Sequence, residues 1–443
     1  MLEKFRKYKL LIGYLNQFVT SIVGLLLTPI YINYFGITEF SIISLVGLFL
    51  TWSFACDAGI SIYINKQLAS SSDIQIARKN FVDALFVIVT LLLGYIFLFL
   101  IFEGPIIRAL DQTGLTEQAS IMAPLIFIIF VVRLLETFLR QSVFGMMQHQ
   151  EVYIFGILSQ LFRHLAQLTI IFVLKTEFIY FVSQYLVFSV GLCIVYLYRL
   201  SVHLGPSSAQ ATFNMVRAAT IVGIFRKSMP FVATGILLPL IISVDKFLVL
   251  KTFGAETFAY VSVAATVTSI ISVIFAPNQQ VHFTYINSST ATDAINKKLQ
   301  IKSICLMYAI TIIALYYIYI ANWNFFELWG INQKDAVAAN KIFIHIFFTT
   351  LSLVTFIFSI NYLSSIEKWH RIIIPFITII YLYIIFSFLQ LGSTSIENFY
   401  FFFISGILSI NVIVLLFIMR NFSLSDSRFM LIMMLPCTIY FIN

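Results

Sequence analysis

The stretch YFGITEFSIISL at positions 34–45 recurs in outline as TFGAETFAYVSV at positions 252–263. At a constant offset of 218 positions (252 minus 34), four pairs are identical: Phe35 and Phe253, Gly36 and Gly254, Phe40 and Phe258, Ser44 and Ser262. In both places an apolar segment ends and another begins, and glycine permits the tight turn between two helices. The match indicates an internal repeat, six helices followed by six.

The composition places the chain in a membrane. Of its 443 residues 60% are hydrophobic and only 10% are charged, whereas soluble domains have roughly 45–50% apolar and roughly 25% charged residues. Spanning a bilayer takes about 20 apolar residues, and the sequence predicts twelve such segments. They lie at approximately 10–34, 38–64, 81–102, 118–144, 152–174, 178–200, 229–251, 257–281, 301–321, 339–363, 371–391 and 398–419.

The predicted fold class is an all-α polytopic membrane protein with about twelve transmembrane helices in two six-helix lobes. Six is an even number, so the lobes have the same orientation and are related by a pseudo-two-fold axis along the membrane normal. We expect an N-terminal lobe at 1–204, a cytoplasmic amphipathic linker at 205–228, and a C-terminal lobe at 229–443 that ends in a short apolar tail at 429–443.

The distribution of Lys and Arg predicts the orientation. Of the 27 basic residues, 18 fall in loops assigned to the inner side, 5 in loops assigned to the outer side, and 4 within spans. This bias follows the positive-inside rule and places both termini in the cytoplasm. It also accounts for the net charge of +8, so no nucleic-acid partner is expected.

The basic residues within spans are the candidate site residues. They are Arg133, Arg140, Arg163 and Lys246, and three acids accompany them: Asp57, Glu136 and Asp245. A charge in the bilayer core costs roughly 2.5–3.5 kcal/mol on the insertion scale, so these side chains face one another or a wet cavity. Positions 133, 136, 137 and 140 fall within about 100° on a helix. The surplus of base favours an anionic cargo, because guanidinium matches phosphate geometry.

Purely structural roles for these charged residues also remain open. Arg140 is near enough to the end of its span to snorkel to the headgroups, and Glu136 can pair with either arginine simply to fix helix packing. Asp245 and Lys246 can serve bundle stability. The four cysteines are scattered without a CxxC pair, which favours packing roles. No P-loop, HExxH or GxSxG occurs, so neither an enzyme nor a cofactor is expected.

Several segments resemble one family. The stretches LLLTPIYINYFGITEFSIISL (25–45) and CDAGISIYINKQLA (56–69) resemble the opening of bacterial polysaccharide flippases. These belong to the polysaccharide transporter branch of the multidrug/oligosaccharidyl-lipid/polysaccharide (MOP) exporter superfamily. FGMMQHQEVYIFGILSQLFRHLAQLTIIFVL (144–174) and SVDKFLVLKTFGAETFAYVSVA (243–264) resemble later parts of the same family, in which the basic residue after the acid is often Arg where Lys246 stands here.

The resemblance implies an alternating-access flippase. Its cargo is an oligosaccharide repeat unit on undecaprenyl diphosphate, destined for O-antigen or a similar glycan, which moves between leaflets of the bacterial cytoplasmic membrane. Arg133, Arg140, Arg163 and Lys246 would bind the diphosphate or acidic sugars. Asp57, Glu136 and Asp245 would serve gating or coupling to a proton or sodium ion. Membrane lipids, a glycan polymerase and chain-length proteins are the implied partners.

Two alternatives are retained. A multidrug or cation antiporter of the same superfamily needs surplus acid in its cavity, whereas this chain has surplus base. A membrane glycan polymerase or ligase typically has a large outer loop for catalysis, and the longest outer connection here is only about 322–338.

Overall fold

A computed structural model of the protein describes residues 2–53, 56–71, 73–112, 119–174, 178–205, 222–228, 243 and 245–268, with scattered positions between 337 and 350. Predicted spans nine, eleven and twelve, the tail at 429–443 and most of the linker lie outside these residues. Spans seven, eight and ten are described in part. Within the described ranges the regular structure is helical, without strands.

Seven α-helices are described in the first half of the chain. They are α1 (Leu2–Phe35), α2 (Ile37–Trp52), α3 (Ile60–Ser70), α4 (Ile74–Gln112), α5 (Ala119–Gly145), α6 (His149–Thr169) and α7 (Phe178–Leu204). A short π-helix, Ile170–Leu174, continues α6. In the described part, six helices are long and apolar enough to cross a membrane, the last being Asp245–Thr268. The chain is therefore a multi-pass membrane protein.

The second predicted span is the main departure from expectation. The apolar run at 38–64 predicts one helix, but α2 ends at Trp52 and α3 begins at Ile60. Ala58 and Gly59 between them have φ of +53° and +71°, and left-handed backbone cannot continue a right-handed helix. The prediction of a continuous span was wrong here, and Asp57 lies in the break rather than on a helix.

Helix α5 is the centre of packing among the described helices. It contacts α3, α4, α6 and α7, and its Leu134, Phe138 and Leu139 are fully buried. Phe138 stacks on Phe81 of α4 with ring centroids 5.8 Å apart. Because helices cover α5 on several sides, its buried polar residues, such as Glu136 and Thr137, face protein rather than lipid.

The α3–α5 contact depends on a glycine. A Cβ atom at Gly145 would lie 2.8 Å from the Asn65 carbonyl oxygen and 2.9 Å from Leu68 Cβ. On the same interface the Asn65 amide donates to Gln141 Oε1 over 2.8 Å. This contact holds α3 against α5, although α3 does not continue α2.

The chain divides into two compact units. The first comprises Met1–Val23, Ile42–Ser243 and Asn287–Ala291, and the second comprises Gly24–Ser41, Val244–Ile286 and Thr292–Asn443. The repeated glycines, Gly36 and Gly254, both belong to the second unit and have φ of +93° and +84°. The turn predicted at Gly36 is confirmed, because this glycine lies between α1 and α2. Gly254 shares the positive φ but lies within the helix Asp245–Thr268, so a turn between spans seven and eight stays a prediction. The lobes at 1–204 and 229–443 and the symmetry axis between them stay predictions.

Candidate functional site

Helix α5 brings two of the predicted site residues into direct contact. Arg133 Nη1 donates to both carboxylate oxygens of Glu136, three residues further along the helix. The Glu136 side chain is 2% exposed, whereas that of Arg133 is 24% exposed. The acid of this pair is thus enclosed, and the base reaches accessible space.

Arg140 lies one turn beyond Glu136 and shares this environment. It is half-buried, attracted by Glu136 and repelled by Arg133. Tyr153 of α6 and Tyr196 of α7 are also among its electrostatic neighbours. The shared helix face predicted for Arg133, Glu136 and Arg140 is confirmed, and the setting of Arg140 among side chains of three helices favours a place in this cluster over snorkelling.

Two tyrosines also belong to the cluster, and the sequence did not predict either of them. Tyr153 is 5% exposed and Tyr196 is 1% exposed, so their rings form part of the protein interior beside the arginines. Tyrosine counts as apolar in a search for spans, which hides such residues. A signal was present for Tyr153: it lies four residues after the start of α6, and Arg140 lies five residues before the end of α5. Consecutive helices place such positions at similar depth.

Arg163 of α6 has a different set of contacts. Its guanidinium carbon lies 4.5 Å from the centroid of the Tyr185 ring on α7, and its Nη2 donates to Gln160 Oε1. The adjacent His164 is buried, with Nε2 3.4 Å from the same Nη2. Stacking on an aromatic ring therefore helps to position Arg163.

Asp57 caps a helix. Its two carboxylate oxygens accept hydrogen bonds from the backbone N–H groups of Gly59 and Ser61, over 2.8 and 3.1 Å. The residue is 1% exposed and lies three positions before α3, whose first N–H groups need acceptors. Asp57 supplies one of these acceptors, to the N–H of Ser61. This geometry supplies a structural reason for the acid; its gating role stays a prediction.

Asp245 and Lys246 form an ion pair in the second unit. Lys246 Nζ lies 3.5 Å from Asp245 Oδ1, with the side chains 19% and 4% exposed respectively. As in the Arg133–Glu136 pair, the acid is the more deeply buried member. Both units thus contain a base that is more accessible than its carboxylate partner.

Metal binding finds no support in the described ranges. Among those residues, no group of three or more His, Cys, Asp or Glu side chains is placed to hold a metal ion. The described cysteines, Cys56 and Cys193, are free thiols.

Several solved structures of membrane transporters have a similar helical architecture. The chain matches "MATE transporter ClbM in complex with Rb+" with a TM-score of 0.58 at 15% identity, covering 95% of this chain and 96% of that one. It matches the eukaryotic MATE transporter AtDTX14 with a TM-score of 0.59 at 12% identity and the same coverages. The chain has the fold of the MATE transporters. That fold has twelve membrane helices in two lobes, so the predicted fold class is confirmed.

A further match concerns charge. The chain also matches a MOP superfamily transporter from Pyrococcus furiosus Vc1 (DSM3638), with a TM-score of 0.52 at 12% identity. That transporter is described by the words "reverse polarity of binding pocket suggests different function". The match covers 91% of this chain and 95% of that one. No protein-family model and no curated protein matches the sequence. The solved structures show the fold of the chain, and its superfamily and branch stay predictions.

Proposed function

We propose that the protein is an alternating-access membrane transporter whose cargo carries negative charge. The observation that carries this proposal is the α5 cluster, in which two arginines share the buried Glu136 and one of them reaches accessible space. Positive charge that remains after internal pairing attracts anions, and guanidinium groups bind phosphate through paired hydrogen bonds. A transporter from Pyrococcus furiosus that is described as having a binding pocket of reverse polarity supports such a departure within this fold.

The specific cargo we propose is an undecaprenyl-diphosphate-linked oligosaccharide, moved from the inner to the outer leaflet of a bacterial cytoplasmic membrane. Its diphosphate would meet Arg133, with Arg140, Arg163 and Lys246 as the other cationic residues of the cavity. The lipid tail would remain in the bilayer. Both termini would lie in the cytoplasm, and a glycan polymerase and chain-length proteins would act on the product.

The second candidate is a multidrug or cation antiporter, and the structural neighbours favour it over the first. Their titles describe MATE transporters, one in complex with Rb+ and two of a multidrug resistance MATE family transporter. The acids Asp57 and Asp245, which are 1% and 3% exposed, are the residues on which cation coupling would depend. The neighbours are transporters, which agrees with the expectation that the chain is not a polymerase or ligase.

Complementation separates the two candidates. In a bacterial strain lacking its polysaccharide flippase, we expect the wild-type gene to restore surface glycan and Arg133→Gln to abolish restoration. Arg199→Gln is the matched control, because Arg199 pairs with Glu151 outside the α5 cluster and its loss should leave display intact. The lipid-linked intermediate that accumulates would be identified by mass spectrometry. Failure to complement any flippase deletion, together with increased drug resistance on expression, would establish the antiporter instead.

A further inference from the structure

The Arg133–Glu136 pair raises the question of how an anionic cargo gains access to an arginine that already has a carboxylate partner. Both oxygens of Glu136 accept from Arg133 Nη1. An incoming anion therefore competes with Glu136 for the same donor. The competition is intramolecular, so the carboxylate is present at the site at high effective concentration.

The exposures of the two side chains define which one can meet the cargo. Arg133 is 24% exposed and Glu136 is 2% exposed. The guanidinium can turn toward an anion in accessible space, whereas the carboxylate remains enclosed by the protein. Once Arg133 has turned away, Glu136 needs another positive partner, because an unpaired buried charge is strongly destabilising.

Arg140 is placed to be that partner. It lies four residues after Glu136, and side chains four residues apart on a helix are neighbours. It already interacts favourably with Glu136 and unfavourably with Arg133. Movement of Glu136 toward Arg140 would strengthen the first interaction while the cargo neutralises Arg133.

We propose that Glu136 is an internal counter-anion that holds Arg133 in the empty state and transfers to Arg140 when the anionic group of the cargo binds Arg133. The inference rests on the proposed anionic cargo and adds a role for the acid. Glu136 opposes binding and thereby assists release: it returns to Arg133 as the cargo leaves. Glu136 is a positioning residue that acts through Arg133 and need not touch the cargo.

The test is a binding and turnover measurement on the full chain in lipid nanodiscs and proteoliposomes, with inorganic diphosphate and undecaprenyl diphosphate as separate probes. We expect Glu136→Gln to bind both probes about tenfold more tightly and to release and transport undecaprenyl diphosphate more slowly. Glu136→Asp keeps the charge but shortens the reach, so it should show a smaller change in the same direction. It also provides a second variant should Glu136→Gln fold poorly. Glu151→Gln, which removes an acid paired with Arg199, should bind as wild type does.

A double-mutant cycle tests the transfer to Arg140. We expect Arg140→Gln to weaken diphosphate binding several-fold when Glu136 is present and to have little effect in the Glu136→Gln background. Equal weakening in both backgrounds would show that Arg140 contacts the cargo directly and would overturn the transfer. If the wild type binds the probes but neither Glu136 variant binds them more tightly, the counter-anion role of Glu136 is refuted and the anionic cargo is not. Absence of binding by the wild type to both probes would refute the anionic cargo and this inference with it.

Discussion

At the scale of single residues, ion pairing and capping explain most of the buried charges. Glu136 neutralises Arg133, Asp245 neutralises Lys246, and Asp57 accepts two backbone N–H groups. The sequence predicted the shared face of Arg133, Glu136 and Arg140 because helix periodicity alone determines it. It could not predict the role of Asp57 as a cap, because capping depends on the interruption between α2 and α3. A count of apolar residues along the sequence does not detect this interruption.

Asp57 offers a direct test of structural against gating roles. We expect Asp57→Ala to lower the free energy of unfolding by about 1 kcal/mol, because the cap of α3 is lost. Asp57→Asn should cost less, since the amide oxygen still accepts one hydrogen bond. The measurement is the thermal melting of the purified protein, with transport assayed in parallel. Asp73→Ala is the matched control, because Asp73 also caps a helix, with Oδ1 2.8 Å from the Gln75 N–H, but at an exposed site.

The transport assay distinguishes the two roles of Asp57. If capping is its function, Asp57→Asn should retain transport in proportion to the amount of folded protein. Full loss of transport by a stably folded Asp57→Asn would contradict the structural role and favour gating or ion coupling.

Stacking on Tyr185 should make Arg163 sensitive to the shape of its cation as well as to its charge. The guanidinium lies 4.5 Å from the ring centroid, and such contacts contribute about 0.5–2 kcal/mol. A double-mutant cycle with Arg163→Gln and Tyr185→Leu removes the cation and the ring in turn, and should give a coupling free energy in that range, measured from the unfolding of the purified protein. A coupling free energy near zero would show that the stacking contributes nothing to stability.

At the scale of elements, the close approach of α3 and α5 follows from a glycine whose role the sequence does not reveal. Apolar periodicity predicted α5 within a residue at each end, because its run of spanning residues is long. It merged α2 with α3, since the break at 53–59 contains few polar residues. The signal it missed was the pair Ala58–Gly59, where positive φ interrupts the helix.

Substitution of Gly145 tests this packing. A Cβ atom there would lie 2.8 Å from a backbone oxygen of α3, and backbone cannot move aside as a flexible side chain can. We expect Gly145→Ala to cost roughly 1–3 kcal/mol of stability through overpacking and to weaken the Asn65–Gln141 hydrogen bond. Gly191→Ala on α7 is the control, because nothing lies within 4 Å of its Cβ position. Alanine stabilises a helix slightly relative to glycine, so Gly191→Ala should raise the melting temperature slightly. Equal melting temperatures for the two variants would contradict the packing argument.

At the scale of the whole molecule, the helical membrane fold is the feature that the sequence predicted most fully. Twelve apolar segments and one duplicated Phe-Gly motif were enough to indicate the fold that the solved transporters share. The cargo could not be predicted to the same depth. A fold shared at 12–15% identity fixes the helices but leaves the charged side chains free to differ, and recognition depends on those side chains.

The two repeated glycines make the repeat itself testable. Gly36 and Gly254 both have φ in the left-handed region, at +93° and +84°, where a side chain costs about 1–2 kcal/mol. At Gly254 no atom lies within 4 Å of the Cβ position, so the backbone conformation alone should set the cost of Gly254→Ala. At Gly36 the nearest atom is Glu39 Oε2 at 3.2 Å, the end of a flexible side chain, so Gly36→Ala should cost a similar amount.

Asparagine tolerates left-handed backbone better than alanine does, which provides a second substitution at each glycine. We expect the Asn variants at positions 36 and 254 to melt above the corresponding Ala variants. Gly24→Ala, at a helical position with open space around its Cβ, should be neutral or slightly stabilising. Because the same order of Gly, Asn and Ala is expected at both positions, a different order at one of them would mean that the two glycines are not equivalent. The sequence match at an offset of 218 positions (254 minus 36) would then be coincidental.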